Sequence, residues 1–360
     1  MKQKVSEIEG LKVLGRCGMR EEAISCFWTA SGIAFDVRAS QLWLELRASY
    51  EIYDLWLDIE IDGALIQRRM LDKGEQRVCI FRGMDPGVVK HVRILRDTQA
   101  MPEDTVSRID LLSVETDGSF VDNSPVEEEN LLLEVIGDSI TSGEGLCGDH
   151  DLMDWVSHCF SATKTYEYQV AKALHADLCV LSQSGWGAFQ SYDGDQKNAL
   201  PPYYQKLAGV LRGEEDQSYD AGVEWSSYQP ILKKKYKIKE HPDVILINLG
   251  TNDSNLLPEQ GEKLRENFAG RVYDFMKELG RMHPKAHIFW CYGMIGDPLM
   301  PQIRSSVERI REEEEDGGSR FAVIELENTE EKELGSRLHP GSPSHKKAAE
   351  KILKEIEPIL

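Results

Sequence analysis

The hydrophobic pattern of this chain changes partway along its length, and that change constrains the fold more than any other feature. Between residues 31 and 117, apolar residues recur at every second position in short runs. From residue 131 onward, short apolar runs alternate with stretches of helical spacing. A period of two is typical of β-strands, and strands that alternate with helices are typical of a parallel sheet covered on both faces. The sequence therefore predicts an all-β part followed by an α/β part.

The first part is predicted to be a β-sandwich. The alternation is clearest at Ile33, Phe35 and Val37, and it recurs around residues 42–46 and 57–61. The last of these runs ends at the dipeptide Asp-Gly, which is a strong signal for a two-residue hairpin. Short strands separated by turn residues are typical of a sandwich or jelly roll.

A polar segment separates the two parts. Residues 122–125 read Asp-Asn-Ser-Pro, which is typical of a turn, and residues 127–129 are three consecutive glutamates. A chain of 360 residues also exceeds the roughly 250–300 residues at which single cores stop growing. We therefore expect a β-sandwich (jelly-roll) domain over residues 1–125 and a second domain over residues 126–360.

Composition disfavours several classes of partner and cofactor. The chain has 42 Lys and Arg against 62 Asp and Glu, a net charge of −20, so we expect neither a nucleic-acid nor a membrane partner. No stretch approaches the roughly 20 apolar residues of a membrane span, and the N-terminus does not resemble a secretory signal. The seven cysteines lack zinc spacing. We therefore expect no metal site, free thiols and a cytoplasmic location.

Four loops carry the residues that could perform chemistry. In a parallel sheet, ligands bind at the carboxyl ends of the strands. Ser139, Gly185 and Asn252 each follow a predicted strand, and His339 precedes the last predicted helix. A serine nucleophile needs a base and donors for the developing oxyanion. Each residue alone is most often part of an ordinary turn or cap, so the signal lies in the order of all four.

That order resembles the SGNH hydrolases, also called GDSL-like esterases. Their first block is similar to Gly137-Asp138-Ser139, the second to Ser184-Gly185, the third to Gly250-Thr251-Asn252-Asp253 and the last to His339-Pro340. The resemblance spans about residues 131–357 and implies a flavodoxin-like α/β/α domain with a parallel sheet. A β-sandwich in front of such a domain resembles carbohydrate esterase family 2, which deacetylates xylan- and mannan-type sugars.

The resemblance implies a role for each residue. Ser139 would be the nucleophile and His339 its general base, while the backbone N–H groups of Ser139 and Gly185 and the side chain of Asn252 would hold the oxyanion. The substrate would be an acetylated oligosaccharide, and no metal or organic cofactor would be required. Aromatic rings stack on the apolar faces of sugars. The candidate substrate contacts are Trp186, Trp225 and Tyr292.

One position departs from the family pattern. Most SGNH enzymes place an aspartate two or three residues before the histidine, where this chain has Arg337 and Ser336. We expect a backbone carbonyl near these residues to orient His339. His345 is a rival base, although we expect it on the surface of the last helix. Two alternatives stay open: a non-catalytic carbohydrate-binding protein, and an esterase or thioesterase of other acyl specificity.

Overall fold

The computed structural model describes residues 1–20, 22–101, 104–122, 131–208, 236, 238–239, 241–314 and 318–360. The chain divides into two compact units. The first comprises Met1–Asn130, Val156–His158 and Gln205–Glu240, and the second comprises Leu131–Trp155, Cys159–Tyr204 and His241–Leu360. The domain boundary between residues 125 and 126 stays a prediction.

The first unit contains two antiparallel sheets. Its strands are β1 Lys2–Lys4, β2 Lys12–Leu14, β3 Cys17–Arg20, β4 Ala23–Cys26, β5 Gly32–Arg38, β6 Gln41–Ser49, β7 Leu55–Ile61, β8 Ala64–Leu71, β9 Gly74–Arg82, β10 Val89–Arg96, β11 Arg108–Thr116 and β12 Ser119–Val121. Among the described residues, one sheet has the order β3-β4-β11-β6-β9 with β1 on β11, and the other has the order β12-β5-β10-β7-β8 with β2 on β5.

The period-two pattern places alternate side chains in one core. On β6, Leu42, Leu44 and Leu46 are fully buried, whereas the residues between them are partly exposed. The same core includes apolar residues of β5 and β7 from the other sheet. Strands β7 and β8 are joined through Asp62 and Gly63, which both have positive φ (51° and 76°), as a two-residue hairpin requires. The predicted antiparallel sandwich is confirmed.

The second unit contains a parallel sheet with helices. Its strands are β13 Leu132–Gly137, β14 Asp177–Ser182, β15 Val244–Asn248, β16 His287–Gly293 and β17 Phe321–Leu326, in the order β14-β13-β15-β16-β17. Its helices are α1 Tyr166–Ala173, α2 Thr251–Ser254, α3 Leu257–Met282, α4 Met300–Glu313 and α5 Ser342–Ile356. The predicted α/β part is confirmed. Of the helices described, none has the length and apolar character needed to cross a membrane.

The register of the central strands aligns three loops. Gly137, the last residue of β13, is paired with Ser182 on one side and Asn248 on the other. These two partners are also the last residues of their strands. The loops that follow β13, β14 and β15 therefore leave the sheet side by side, at the edge where ligands bind in α/β folds.

Candidate active site

Ser139 and His339 meet at the carboxyl edge of the parallel sheet. Ser139 lies two residues beyond β13, and His339 lies in the loop that leads into α5. The distance between Ser139 Oγ and His339 Nε2 is 3.0 Å. This is within hydrogen-bond reach, so the imidazole can accept the hydroxyl proton of the serine.

The other imidazole nitrogen is held by the backbone. His339 Nδ1 lies 3.0 Å from the carbonyl oxygen of Arg337. Because a carbonyl can only accept, Nδ1 carries the hydrogen and Nε2 is left as the acceptor that faces Ser139. The carbonyl is presented by a left-handed backbone, with φ of 57° at both Arg337 and Leu338. A backbone group thus occupies the place that an aspartate takes in most SGNH enzymes.

The oxyanion candidates lie on two adjoining loops. Gly185 follows β14 with a φ of 78°, which favours glycine, and Asn252 lies in the short helix α2 that follows β15. The Asn252 amide donates to the carbonyl oxygen of Trp186 at 2.8 Å, and the same nitrogen lies 3.3 Å from Asp138 Oδ2. The amide is therefore fixed beside the Gly185 loop.

A buried acid holds the Gly185 loop in place. The Asp253 carboxylate accepts the backbone N–H groups of Ala188, Phe189 and Gln190 at 2.8, 2.7 and 3.0 Å. Burial raises the pKa of Asp253 to about 6 and that of Asp138 to about 7. In the sequence, Asp253 was noted only as the last residue of the third family block, and no role was assigned to it. Its position next to Asn252 was the one sequence feature that pointed to a role in the site. In the part of the chain that the structure describes, no three His, Cys, Asp or Glu side chains are placed to hold a metal ion.

Two of the three aromatic side chains that were predicted to contact the substrate are buried. Tyr292 lies in β16 and is fully buried, so its ring offers no face to a sugar. Trp186 is 4% exposed and packs against Tyr203, with ring centroids 5.0 Å apart. Large apolar rings close to a sheet are buried because their removal from water is favourable. Trp225 lies outside the described residues.

A different aromatic side chain lies beside Gly185. Tyr192 is 56% exposed, and its Cδ1 and Cε1 atoms lie 3.1 and 3.4 Å from the point where a side chain on Gly185 would begin. Its backbone N–H donates to the Gly185 carbonyl at 3.0 Å. Sequence reasoning missed Tyr192 because it lies in a segment without periodicity, seven residues beyond the glycine.

The rival base His345 belongs to the interior. It is fully buried, and its Nδ1 accepts the backbone N–H of Tyr166 at 3.0 Å. Burial lowers the pKa of His345 to about 3, so the imidazole stays neutral. The expectation of a surface position was wrong because α5 turns this residue toward α1, whose first residue is Tyr166.

The comparison with known families agrees with this geometry. The model of the GDSL-like lipase/acylhydrolase family matches residues 133–352, which is more than half of the chain. The chain belongs to this family. Membership makes it a carboxylic ester hydrolase by class, as the order of the four sequence blocks predicted.

Several relatives are similar over most of the chain. An acetyl xylan esterase from the rumen bacterium Butyrivibrio proteoclasticus is 32% identical, with a TM-score of 0.90 over 99% of this chain and 98% of that one. An acetylxylan esterase/glucomannan deacetylase from Cellvibrio japonicus is 26% identical over 291 residues, which are 79% of this chain and 72% of that protein. A family two carbohydrate esterase from Clostridium thermocellum, solved with cellohexaose, has the same fold (21% identity, TM-score 0.79, 97% and 98% coverage).

Proposed function

We propose that this chain is a carbohydrate O-acetylesterase that acts on acetylated oligosaccharides of the xylan or mannan type. The observation that carries the proposal is the 3.0 Å contact between Ser139 Oγ and His339 Nε2, with the tautomer of the imidazole set by the Arg337 carbonyl. The substrate class is supported by the relatives that are named as acetylxylan esterases and a glucomannan deacetylase.

The proposed reaction has two halves. In the first, Ser139 Oγ attacks the acetyl carbonyl carbon while His339 Nε2 takes the hydroxyl proton. The bond between the carbonyl carbon and the sugar oxygen then breaks, and the sugar leaves with the proton from His339. In the second half, His339 removes a proton from water, which attacks the acetyl-serine, and Ser139 regains a proton as acetate leaves.

The negative charge of each tetrahedral intermediate needs fixed donors. We assign this role to the backbone N–H groups of Ser139 and Gly185 and to the Asn252 amide. The amide donates to the Trp186 carbonyl and to Asp138 Oδ2, so it can donate to the oxyanion only by giving up the Asp138 contact. We propose that this exchange occurs when the ester binds. Each such donor typically stabilises the transition state by about 3–4 kcal/mol.

The leaving sugar needs a surface beside the oxyanion loop. We assign that surface to Tyr192, because its exposed ring lies against Gly185. A phenol ring presents an apolar face to the sugar and a polar edge to water. We therefore propose Tyr192, instead of the buried Trp186 and Tyr292, as the aromatic side chain that contacts the sugar.

The proposal is tested by acetate release from a panel of defined acetylated xylo- and manno-oligosaccharides, with product positions read by NMR. Replacement of Ser139 by Ala is expected to lower the rate to background, and a serine-directed fluorophosphonate is expected to label the wild-type chain but not this variant. Full activity of Ser139→Ala would contradict the mechanism. Sugar binding without labelling would favour a non-catalytic binding protein, and a preference for octanoyl over acetyl esters would favour an esterase of other specificity.

We further propose that the hydrolase domain spans residues 126–360, after the β-sandwich of residues 1–125, and that the protein works in a reducing compartment such as the cytoplasm. All seven cysteines are free thiols, which fits such a compartment. Thiol titration of the denatured protein from its native host is expected to give the same count with and without prior reduction.

A further inference from the structure

A buried glutamate lies beside the base without belonging to the Ser–His pair. Glu144 is 2% exposed and lies in the loop that follows Ser139, where its backbone N–H donates to the Ser139 carbonyl at 3.0 Å. Its Oε1 atom is 3.8 Å from His339 Nε2. Burial of a carboxylate is costly unless the charge is paired and hydrogen-bonded, so its partners indicate what it holds.

Both oxygens of this carboxylate have partners, and the partners belong to different loops. Oε1 accepts the Nε–H of Arg337 at 2.7 Å, and Oε2 accepts the hydroxyl of Ser184 at 2.8 Å. Arg337 supplies the carbonyl that orients His339, and Ser184 directly precedes Gly185. One side chain therefore joins the loop of the base to the loop of the oxyanion donor.

Arg337 is held at several points besides Glu144. Its backbone N–H donates to the Leu152 carbonyl at 2.9 Å, and its Nη1 donates to the Met153 carbonyl at 2.8 Å. These contacts stabilise a left-handed conformation (φ 57°, ψ 28°) that a side chain other than glycine seldom adopts. Without such support the carbonyl would not stay aimed at His339 Nδ1.

We infer that Glu144 is a positioning residue that supplies, from the nucleophile loop, the carboxylate that the base loop lacks. It acts in two ways: through Arg337 it fixes the carbonyl that orients His339, and through space it places a negative charge near the imidazolium that forms when Ser139 loses its proton. This inference rests on the proposed function, because it assigns a role in the same reaction.

The groups packed around His339 set the sign of the charge effect. Arg337 contributes a positive charge from the same loop, Glu144 a negative charge from the nucleophile loop, and His345 a neutral imidazole from α5. Asp138 interacts electrostatically with Glu144 from farther inside. Loss of the Glu144 charge must therefore disfavour the protonated form of His339, and loss of the Arg337 charge must favour it.

The test uses 4-nitrophenyl acetate, whose hydrolysis needs no sugar contact. Glu144→Gln keeps the side-chain shape and removes the charge, Arg337→Met removes the cation, and Glu325→Gln breaks the exposed Arg304–Glu325 pair as the matched control. For each variant, kcat, KM and the pH profile of kcat/KM are measured, with Ser139→Ala as background and the thermal midpoint as a check of folding.

We expect Glu144→Gln to lower kcat by about 10²-fold with KM within a factor of two, because the base is misplaced. The midpoint of the acid limb should move down by about one pH unit in Glu144→Gln and up in Arg337→Met. Unchanged midpoints, or shifts in the same direction, would overturn the inference. If Glu144→Gln does not fold, Arg337→Met is still expected to lower kcat, because it removes the contact through which Glu144 holds the base loop, and an unchanged kcat in that variant would also overturn the inference. A wild-type chain without esterase activity would instead refute the proposed function.

Discussion

At the residue scale, the site depends on buried carboxyl groups that meet fixed donors. Asp253 accepts three backbone N–H groups, and Glu144 joins Arg337 to Ser184. Burial raises the pKa of Asp253 to about 6 and of Asp138 to about 7, above their unfolded values near 4. Because the folded state then binds more protons, these two groups lower stability as the pH rises from about 4 to those values.

The exposed ring of Tyr192 should affect sugar binding rather than the chemical step. We expect Tyr192→Ala to raise KM about fivefold for an acetylated oligosaccharide, which corresponds to the roughly 1 kcal/mol of one aromatic contact. The kcat/KM for 4-nitrophenyl acetate should stay within a factor of two, since that ester has no sugar to stack. Both are obtained from steady-state kinetics.

The control for this prediction is Tyr192→Phe, which keeps the ring and removes the hydroxyl. It should bind the oligosaccharide as the wild type does. If Tyr192→Ala lowered kcat/KM equally for the oligosaccharide and for 4-nitrophenyl acetate, a stacking role would be contradicted. The ring would then be needed to support the Gly185 loop.

At the element scale, the nucleophile loop and the base loop are packed too closely for any side chain at Gly145. This glycine has a φ of 90°, and an added Cβ would lie 2.5 Å from the Cβ of His339. We expect Gly145→Ala to displace His339 and lower kcat/KM for 4-nitrophenyl acetate by about 10²-fold. The free energy of unfolding should fall by about 1–3 kcal/mol in urea titrations.

Gly270 offers the matched control on the exposed surface of α3. A Cβ at Gly270 would meet no heavy atom within 4 Å. Gly270→Ala should leave activity unchanged and raise stability by up to about 1 kcal/mol, because alanine favours helix more than glycine does. Normal activity in Gly145→Ala would show that the loops can separate without moving the base.

The pairing of α1 with α5 should make stability sensitive to acid. Burial lowers the pKa of His345 from 6.5 to about 3, so the unfolded chain takes up a proton that the folded chain refuses. The unfolded state therefore binds more protons between these values, and stability falls as the pH drops through that window. At pH 4 the loss from this one group is on the order of 3 kcal/mol.

We expect His345→Asn to remove most of that loss, since an amide oxygen can accept the Tyr166 N–H in place of Nδ1. The free energy of unfolding of the wild type and of His345→Asn is measured by urea titration at pH 7 and pH 4. Asp138 and Asp253 contribute with the opposite sign but equally in both proteins, so their contributions cancel when the two pH dependences are subtracted. An identical acid loss in the variant would refute this assignment.

At the scale of the whole molecule, the net charge of −20 should leave the proposed reaction almost untouched. A neutral sugar ester is not steered by long-range fields, which act on charged ligands and are screened by salt. We expect KM for a neutral acetylated oligosaccharide to change less than twofold between about 10 mM and 500 mM NaCl. A steep rise in KM with salt for this neutral substrate would contradict the expectation, because it would show that charged groups take part in binding the sugar.

The sequence by itself determined the fold class and the order of the chemical blocks. Periods of two and of 3.6 residues are local properties, so the sandwich, the parallel sheet and the strand ends that precede Ser139, Gly185 and Asn252 could be read directly. The parallel arrangement then required those strand ends to share an edge.

Only the tertiary structure decided which groups surround His339 and which rings are free. Glu144 and Arg337 are separated by 193 positions, so no local pattern pairs them. Burial likewise depends on what packs against a residue: Tyr292 and His345 are enclosed, while Tyr192 stays exposed. The sequence specifies the type of each side chain. The neighbours that determine the charge, orientation and solvent access of that side chain are brought together only when the chain folds.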